Sequence, residues 1–188
     1  MKKLMLMVAT AALVFTSCDN EQNNNGPKGN DYTGKLVFNE FYGAGADDEK
    51  FVELYNLSNE QLSLEGVMIE KDGGDLSWEG KAGDVVPAKS VYLILGAKKT
   101  TPNGLQTGFS AKKNVLMELS GPDGKIIDTF QRGDEPAEGA VWGDQGLSTN
   151  AGSWSRVPDG TGAWMATPVF TPGAVNSTEG TADETVKQ

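Results

Sequence analysis

Between residues 34 and 176 the apolar side chains recur at every second position, and nowhere is there a sustained i, i+3, i+4, i+7 stripe. A period of two sends successive side chains to opposite faces of an extended strand, so a chain patterned this way buries sheet faces and not helix stripes. Leu36-Val37-Phe38-Asn39-Glu40-Phe41 and Phe51-Val52-Glu53-Leu54-Tyr55 are two such runs, separated by a Gly- and Asp-containing loop. If residues 35–42 and 50–57 pair as a hairpin across that loop, Asn39 faces Glu53 and an amide–carboxylate hydrogen bond follows. A third run places Leu62 and Leu64 on one face, slips at Gly66 and resumes with Val67 and Ile69, the pattern of a β-bulge. Val91-Tyr92-Leu93-Ile94-Leu95 reads as a buried strand stopped by Gly96, and Val115, Met117 and Leu119 alternate. Gly121-Pro122-Asp123-Gly124 then predicts a tight turn into Ile126-Ile127-Asp128-Thr129-Phe130, since proline suits the first central position and Gly124 can take a positive φ. With 24 glycines and 8 prolines punctuating short strands, the expected fold is an all-β sandwich of about seven to nine strands. No repeat of fixed period is visible.

The flanks have a different character. Lys2-Lys3, an apolar stretch over residues 4–15 and Thr16-Ser17 lead to Cys18, the only cysteine of the chain. The stretch is too short to span a bilayer, which takes about 20 apolar residues. It reads as a lipoprotein export signal, with Cys18 the lipidated first residue of the mature protein. Phe15-Thr16-Ser17-Cys18 is similar to the looser lipoprotein boxes of some Gram-negative bacteria, which tolerate Phe15 where the strict pattern has Leu. Asp19-Asn20-Glu21-Gln22 resembles the acidic run that accompanies display on the outer face of the outer membrane. Residues 1–17 are therefore expected to be a signal peptide and residues 18–33, Asn-rich with one aromatic, a disordered tether. Residues 34–176 form the domain and residues 177–188 a flexible tail. The expected location is the outer membrane, lipid-anchored and surface-exposed.

The order and punctuation of the strands resemble the lamin tail domain family, an immunoglobulin-like β-sandwich. The motifs that carry the resemblance are Val37-Phe38-Asn39-Glu40, Phe51-Val52-Glu53-Leu54-Tyr55-Asn56, and Leu62-Ser63-Leu64-Glu65-Gly66-Val67-Met68-Ile69. Val67 stands where the family usually has Trp. Val86-Pro87-Ala88, Ser120-Gly121-Pro122-Asp123-Gly124 with Ile127-Asp128, and Ser153-Trp154-Ser155-Arg156 follow in order. Pro158-Asp159-Gly160, Trp164 and Thr171-Pro172-Gly173-Ala174-Val175-Asn176 complete the match. The resemblance implies a binding or scaffolding module without a catalytic set. It also implies that Trp154 and Trp164 are core or core-edge residues and that Glu40 and Glu53 belong to the framework. Lamin members have protein and DNA partners.

Charge argues against carrying the DNA role over. The chain has a net charge of −10, and removal of Lys2 and Lys3 leaves 14 Lys+Arg against 26 Asp+Glu, a surface that repels phosphates. There is no histidine, and lipidation consumes the one thiol, so disulfides and most metal and nucleophilic chemistry are absent. Gly43-Ala44-Gly45-Ala46-Asp47 lacks the third glycine of a dinucleotide loop and leads into a strand, not a helix. Glu40 and Glu53 are the candidate pair for a carboxylate-dependent hydrolase. Asp47, Asp48 and Glu49 offer hard oxygens for Ca²⁺, although the alternating spacing of an EF-hand is missing. Asp159 reads as a turn residue. Lys98, Lys99, Lys112 and Lys113 bracket a long loop, 97–113, that also carries Phe109 and could hold an anionic polymer. Trp142, in the Gly-rich segment 133–152, is a candidate for stacking on sugar rings, and Trp78 is equally open to a ligand role. The reading that results is a lipid-anchored, cofactor-free surface module whose loops 97–113 and 133–152 bind a glycan, an envelope protein or a matrix component. The alternatives are a hydrolase and a structural subunit of an envelope complex.

Overall fold

The computed structural model describes residues 31–96 and 103–188; the expected signal peptide, Cys18, most of the expected tether and Lys98 and Lys99 lie outside them. Twelve strands and no helix occur among the described residues. One sheet has six strands in the order β12-β11-β10-β1-β2-β7 and the other four in the order β5-β4-β8-β9, with a two-stranded β3–β6 ribbon beside them. The strands are β1 (Leu36–Tyr42), β2 (Phe51–Asn56), β3 (Leu62–Ser63), β4 (Met68–Lys71), β5 (Asp75–Glu79) and β6 (Val85–Val86). They continue with β7 (Val91–Leu95), β8 (Val115–Ser120), β9 (Ile126–Arg132), β10 (Ser153–Val157), β11 (Ala163–Thr167) and β12 (Thr181–Ala182). All pairings are antiparallel. The all-β sandwich is thus observed, with more strands than expected because β3, β6 and β12 have two residues each.

Aromatic rings from both sheets fill the space between them. Phe41 of β1 stacks on Phe130 of β9 with centroids 4.1 Å apart. Trp164 of β11 meets the Phe130 ring edge-on at 4.9 Å, and Trp154 of β10 packs at 6.2 Å. Such pairs add ~0.5–1.5 kcal/mol each beyond the area they bury. Trp78, Trp154 and Trp164 are all buried, so Trp78 is a core residue and not a ligand platform; its Nε1–H donates to the Asn103 carbonyl at 3.0 Å.

The β1–β2 hairpin forms as expected but with a shifted register. Phe38 faces Leu54 and then Glu40, not Asn39, faces Glu53, because Asn39 is the extra residue of a bulge. The anticipated amide–carboxylate bond survives, Asn39 Nδ2 donating to Glu53 Oε1 at 2.9 Å. The slip at Gly66 has a different origin from the one expected. It is no bulge: Leu62–Ser63 pairs with β6, whereas Met68–Lys71 pairs with β5 and β8. A turn at residues 64–67, with Gly66 at φ +75°, hands the chain from the β3–β6 ribbon to the four-stranded sheet. At residues 121–124 the predicted turn is present, closed by Gly124 N–H donating to Gly121 C=O at 2.9 Å.

Both ends of the chain correct the expected boundaries. Tyr32, assigned to the tether, is buried in the core and donates its hydroxyl to the Ser63 carbonyl at 2.7 Å. Residues 177–188, expected to be a flexible tail, are docked. β12 extends the large sheet, Val186 is 4% exposed within the core, and Asp183 accepts the Trp154 Nε1–H at 2.9 Å. The polar composition of this segment concealed one apolar anchor and several side chains that close hydrogen bonds of other strands.

Candidate functional site

Strands β1, β4, β7 and β9 end, and β2, β5 and β8 begin, at the same end of the sandwich. The loops between them enclose a cleft of about 820 Å³. The loops were suspected separately from sequence; the structure brings them together. Asp47 and Asp48 of loop 43–50, Lys113 of loop 103–114 and Trp142 of loop 133–152 all line this cleft. Leu105, Phe109 and Val115 form its closed apolar floor, each 3% exposed or less.

Local chemistry explains why the loops converge. A Cβ on Gly96 would lie 2.4 Å from the Asp47 carbonyl and 2.6 Å from that of Lys50, so only glycine lets loop 43–50 close against the end of β7. A Cβ on Gly43 would lie 2.5 Å from the Phe109 ring, which packs edge-on against Phe41 at 5.5 Å. The described part of loop 97–113 is therefore not a mobile solvated loop. Leu105 and Phe109 anchor it to the core, and Leu105 N–H donates to Leu95 C=O at 2.9 Å.

Two buried residues that the sequence reading did not single out hold the other loops. Asn114 Oδ1 accepts the N–H groups of Gly143 (2.9 Å) and Gln145 (3.1 Å), while its Nδ2 donates to Asp134 C=O at 3.0 Å. This one amide fixes both sides of Trp142. The Arg132 guanidinium donates to the carbonyls of Ala111 (2.8 Å) and Ser148 (2.5 Å) and to Thr185 Oγ1 (3.0 Å). It also lies 4.5 Å over the Trp154 ring. Burial lowers its pKa, a shift that the nearby Asp183 carboxylate opposes. Arg132 thus ties the loop before β8, the loop after β9 and the C-terminal segment into one unit. A signal for it existed: in β9 the alternation that turns Phe130 inward also turns Arg132 inward, and an inward arginine needs several acceptors.

A third missed element is the turn from β4 to β5. Asp72 adopts φ +58°, a conformation that aspartate tolerates when its side chain bonds locally. Here its Oδ1 accepts Leu116 N–H at 3.2 Å, and its Oδ2 pairs with Lys71 Nζ at 3.0 Å. Lys71, Asp72 and Trp142 also border a second depression of about 610 Å³. Trp142 is partly exposed and lines both.

The other sequence candidates distribute as follows. Lys113 lines the cleft but Lys112 does not. The carboxylates of Asp47, Asp48, Asp72 and Asp144 border it too, so among the described residues, which exclude Lys98 and Lys99, the lining is mixed with a slight acidic excess over Lys50, Lys71 and Lys113. Asp47 pairs with Lys50 at 2.9 Å and Glu49 Oε2 accepts the Ala46 N–H at 2.8 Å, which leaves the three loop carboxylates unconverged. Among the described residues no three metal-ligating side chains of the His, Cys, Asp and Glu types come together.

Glu40 and Glu53 occupy a separate layer on the outer face of the large sheet, both fully buried. The strap 171–176 covers them. Thr171 donates its N–H (3.0 Å) and hydroxyl (2.9 Å) to Glu40, and Gly173 N–H donates to Glu53 at 2.7 Å. Ser153 Oγ also donates to Glu40. Burial pushes the Glu53 carboxyl up from its ordinary 4.5 to about 7. The Asn39 and Gly173 donors oppose this rise, and the Glu40 and Asp159 charges add to it. Asp159 is more than a turn residue, since its Oδ1 accepts from Asn39 Nδ2 (3.0 Å) and from Asn176 N–H (3.2 Å). These carboxylates pin the strap, and none of the geometry offers a substrate access to Glu40 or Glu53.

Comparison with known proteins adds one finding. The family model described as the Lamin Tail Domain matches residues 30–147, more than half of the 188-residue chain. A search of curated proteins returns no match. The matched segment ends before β10, although β10 pairs directly with β1.

Proposed function

The chain belongs to the lamin tail domain family, a family of non-catalytic immunoglobulin-like domains, and on that premise we propose that it is a binding module and not an enzyme. It is held at the outer membrane through lipid on Cys18, displayed on the cell surface, and binds through the loop-end cleft without a cofactor. The observation that carries this reading is the convergence of Asp47, Asp48, Lys113 and Trp142 on one cleft of about 820 Å³. Loops on a rigid sandwich are the usual carriers of recognition, because their side chains can vary without disturbing the core. Burial of Glu40 and Glu53 beneath the strap favours this reading over a hydrolase. Nucleic acid is disfavoured as a partner by the net charge of −10.

Attachment and recognition are tested separately. Cys18→Ser is expected to move the protein from the membrane to the soluble fraction of expressing cells; retention in the membrane would refute the anchor. The purified full chain is then offered to a glycan array and to a solubilised outer-membrane protein fraction, as wild type and as Trp142→Ala. Binding that the substitution abolishes supports the cleft. Binding of every partner at wild-type strength would remove it from the case.

A further inference from the structure

Resting on the reading of the cleft as the binding site, we infer that its ligand is an extended, uncharged oligosaccharide that contacts Trp142 and occupies both depressions lined by it. The first observation is the pairing of those depressions, about 820 and 610 Å³, with Trp142, Lys71 and Asp72 common to both. A single compact ligand needs one pocket. Two, sharing one indole, suit a chain whose units repeat.

The second observation is the chemistry of the walls. The apolar floor of Leu105, Phe109 and Val115 is closed; the wall of the first depression presents carboxylates, lysines, Gln106 and Ser110 around one partly exposed indole, and that of the second adds Pro136, Ala140 and the exposed Val141 to its carboxylates. A sugar ring has the complementary construction: a C–H face that stacks on an aromatic plane and an equatorial rim of hydroxyls that both donate and accept. An apolar small molecule would strip water from the carboxylates and amides without replacing their hydrogen bonds. A large protein interface favours an apolar, charge-depleted centre, whereas here charged groups surround the indole.

The third observation is charge. Lys50 and Lys71 are already paired with Asp47 and Asp72 at 2.9 and 3.0 Å. Asp48 and Asp144 border the first depression and Asp75 and Glu135 the second, with Lys113 the remaining lysine among the described lining residues. This excess of carboxylates repels sulfated, uronic or phosphorylated polymers.

The geometry around Trp142 is built in advance of any ligand. Asn114 holds the N–H groups of Gly143 and Gln145 after Trp142 and the carbonyl of Asp134 before it, and the side chain of Asp72, at φ +58°, accepts Leu116 N–H. Preorganisation of this kind spares the ligand the cost of ordering the loops.

The test uses the full lipidated chain in a sugar-free detergent. Cello-, manno- and N-acetylchito-oligosaccharides of one to six units are the probes, with heparin as the polyanion. Trp142 reports directly, because Trp78, Trp154 and Trp164 are each 2% exposed or less and acrylamide quenching of the native protein comes from Trp142. At least one neutral series is expected to shield Trp142 from quenching, with affinity rising with chain length and then levelling once both depressions are filled. Trp142→Ala is expected to weaken binding about tenfold or more, and Trp142→Phe to restore part of it. Heparin is expected to bind no better than the monosaccharides. If no neutral series shields Trp142, or if affinity is independent of length, the proposal is overturned. If instead an outer-membrane protein binds in a Trp142-dependent way, the ligand class is refuted while the cleft reading stands. Failure of both sugar and protein arms refutes both.

Discussion

Glu53 makes the stability of this protein depend on pH in a window where few other groups titrate. Its carboxyl is raised from 4.5 to about 7 in the folded state, so between these values the folded chain holds a proton that the unfolded chain has released. Stability therefore falls as pH rises through the window, opposite to the usual salt-bridged carboxylate. At ~1.36 kcal/mol per pH unit the interval from 4.5 to about 7 corresponds to about 3 kcal/mol in total, of which about 2–3 kcal/mol is lost between pH 5 and 8. The chain has no histidine, so the group that ordinarily dominates this range is missing. Glu53→Gln replaces the acid by a neutral group of the same shape. Its amide nitrogen cannot accept, so either Asn39 Nδ2 or Gly173 N–H loses its acceptor, a constant cost that lowers the midpoint at every pH without making it pH-dependent. Urea unfolding, which leaves ionic strength unchanged, reads the effect. With m of ~2 kcal/mol/M, the wild-type midpoint is expected to fall by roughly 1–1.5 M from pH 5 to pH 8, whereas the Glu53→Gln midpoint stays nearly level. Parallel pH profiles for the two proteins would refute the reasoning, because they would place the Glu53 carboxyl at its ordinary value despite its burial.

Three other outcomes follow from named contacts. Arg132→Ala strands the carbonyls of Ala111 and Ser148 and is expected to cost about 3–5 kcal/mol in urea unfolding; a loss under 1 kcal/mol would show that the loops do not depend on it. A stop codon after Asn176 removes the buried Val186 and the Asp183 acceptor of Trp154, and is expected to destabilise by at least ~3 kcal/mol, measured by the same assay. Unchanged stability would restore the flexible-tail description. Asn114→Ala frees the loop around Trp142 and is expected to cost about 1–3 kcal/mol and to raise hydrogen exchange at Gly143 and Gln145; exchange at wild-type rates would mean that other contacts hold the loop.

Much of the sandwich was legible because its signals are local. Alternation assigns strands within a few residues, and the turn at 121–124 needs only a proline and a glycine at set positions. The β1–β2 hairpin was readable in the same way, but the bulge at Asn39 was not, since its cause lies in the distant strap 171–176 that both Glu40 and Glu53 bind. The docked C-terminus escaped for a similar reason. One valine among polar residues has no periodic signature, and it is seated by a bridge to Arg132 of β9, more than fifty residues earlier in the chain. Of the cleft residues, Trp142, Lys113, Asp47 and Asp48 were visible as unusual side chains in long loops. Asn114, Arg132 and Asp72 were overlooked, because their roles consist of bonds to backbone groups of segments distant in the chain.

By itself the sequence determined that this chain builds sheets and which side chains face inward, because side-chain period and turn chemistry are properties of neighbouring residues. It also determined that histidine chemistry is excluded and carried the motifs of a lamin tail domain. Only the tertiary structure decided that three separated loops form one cleft and that an arginine, an asparagine and the last twelve residues are the ties that hold it. Antiparallel sheets join segments far apart in the chain, and a site made where their loops meet belongs to none of those segments alone.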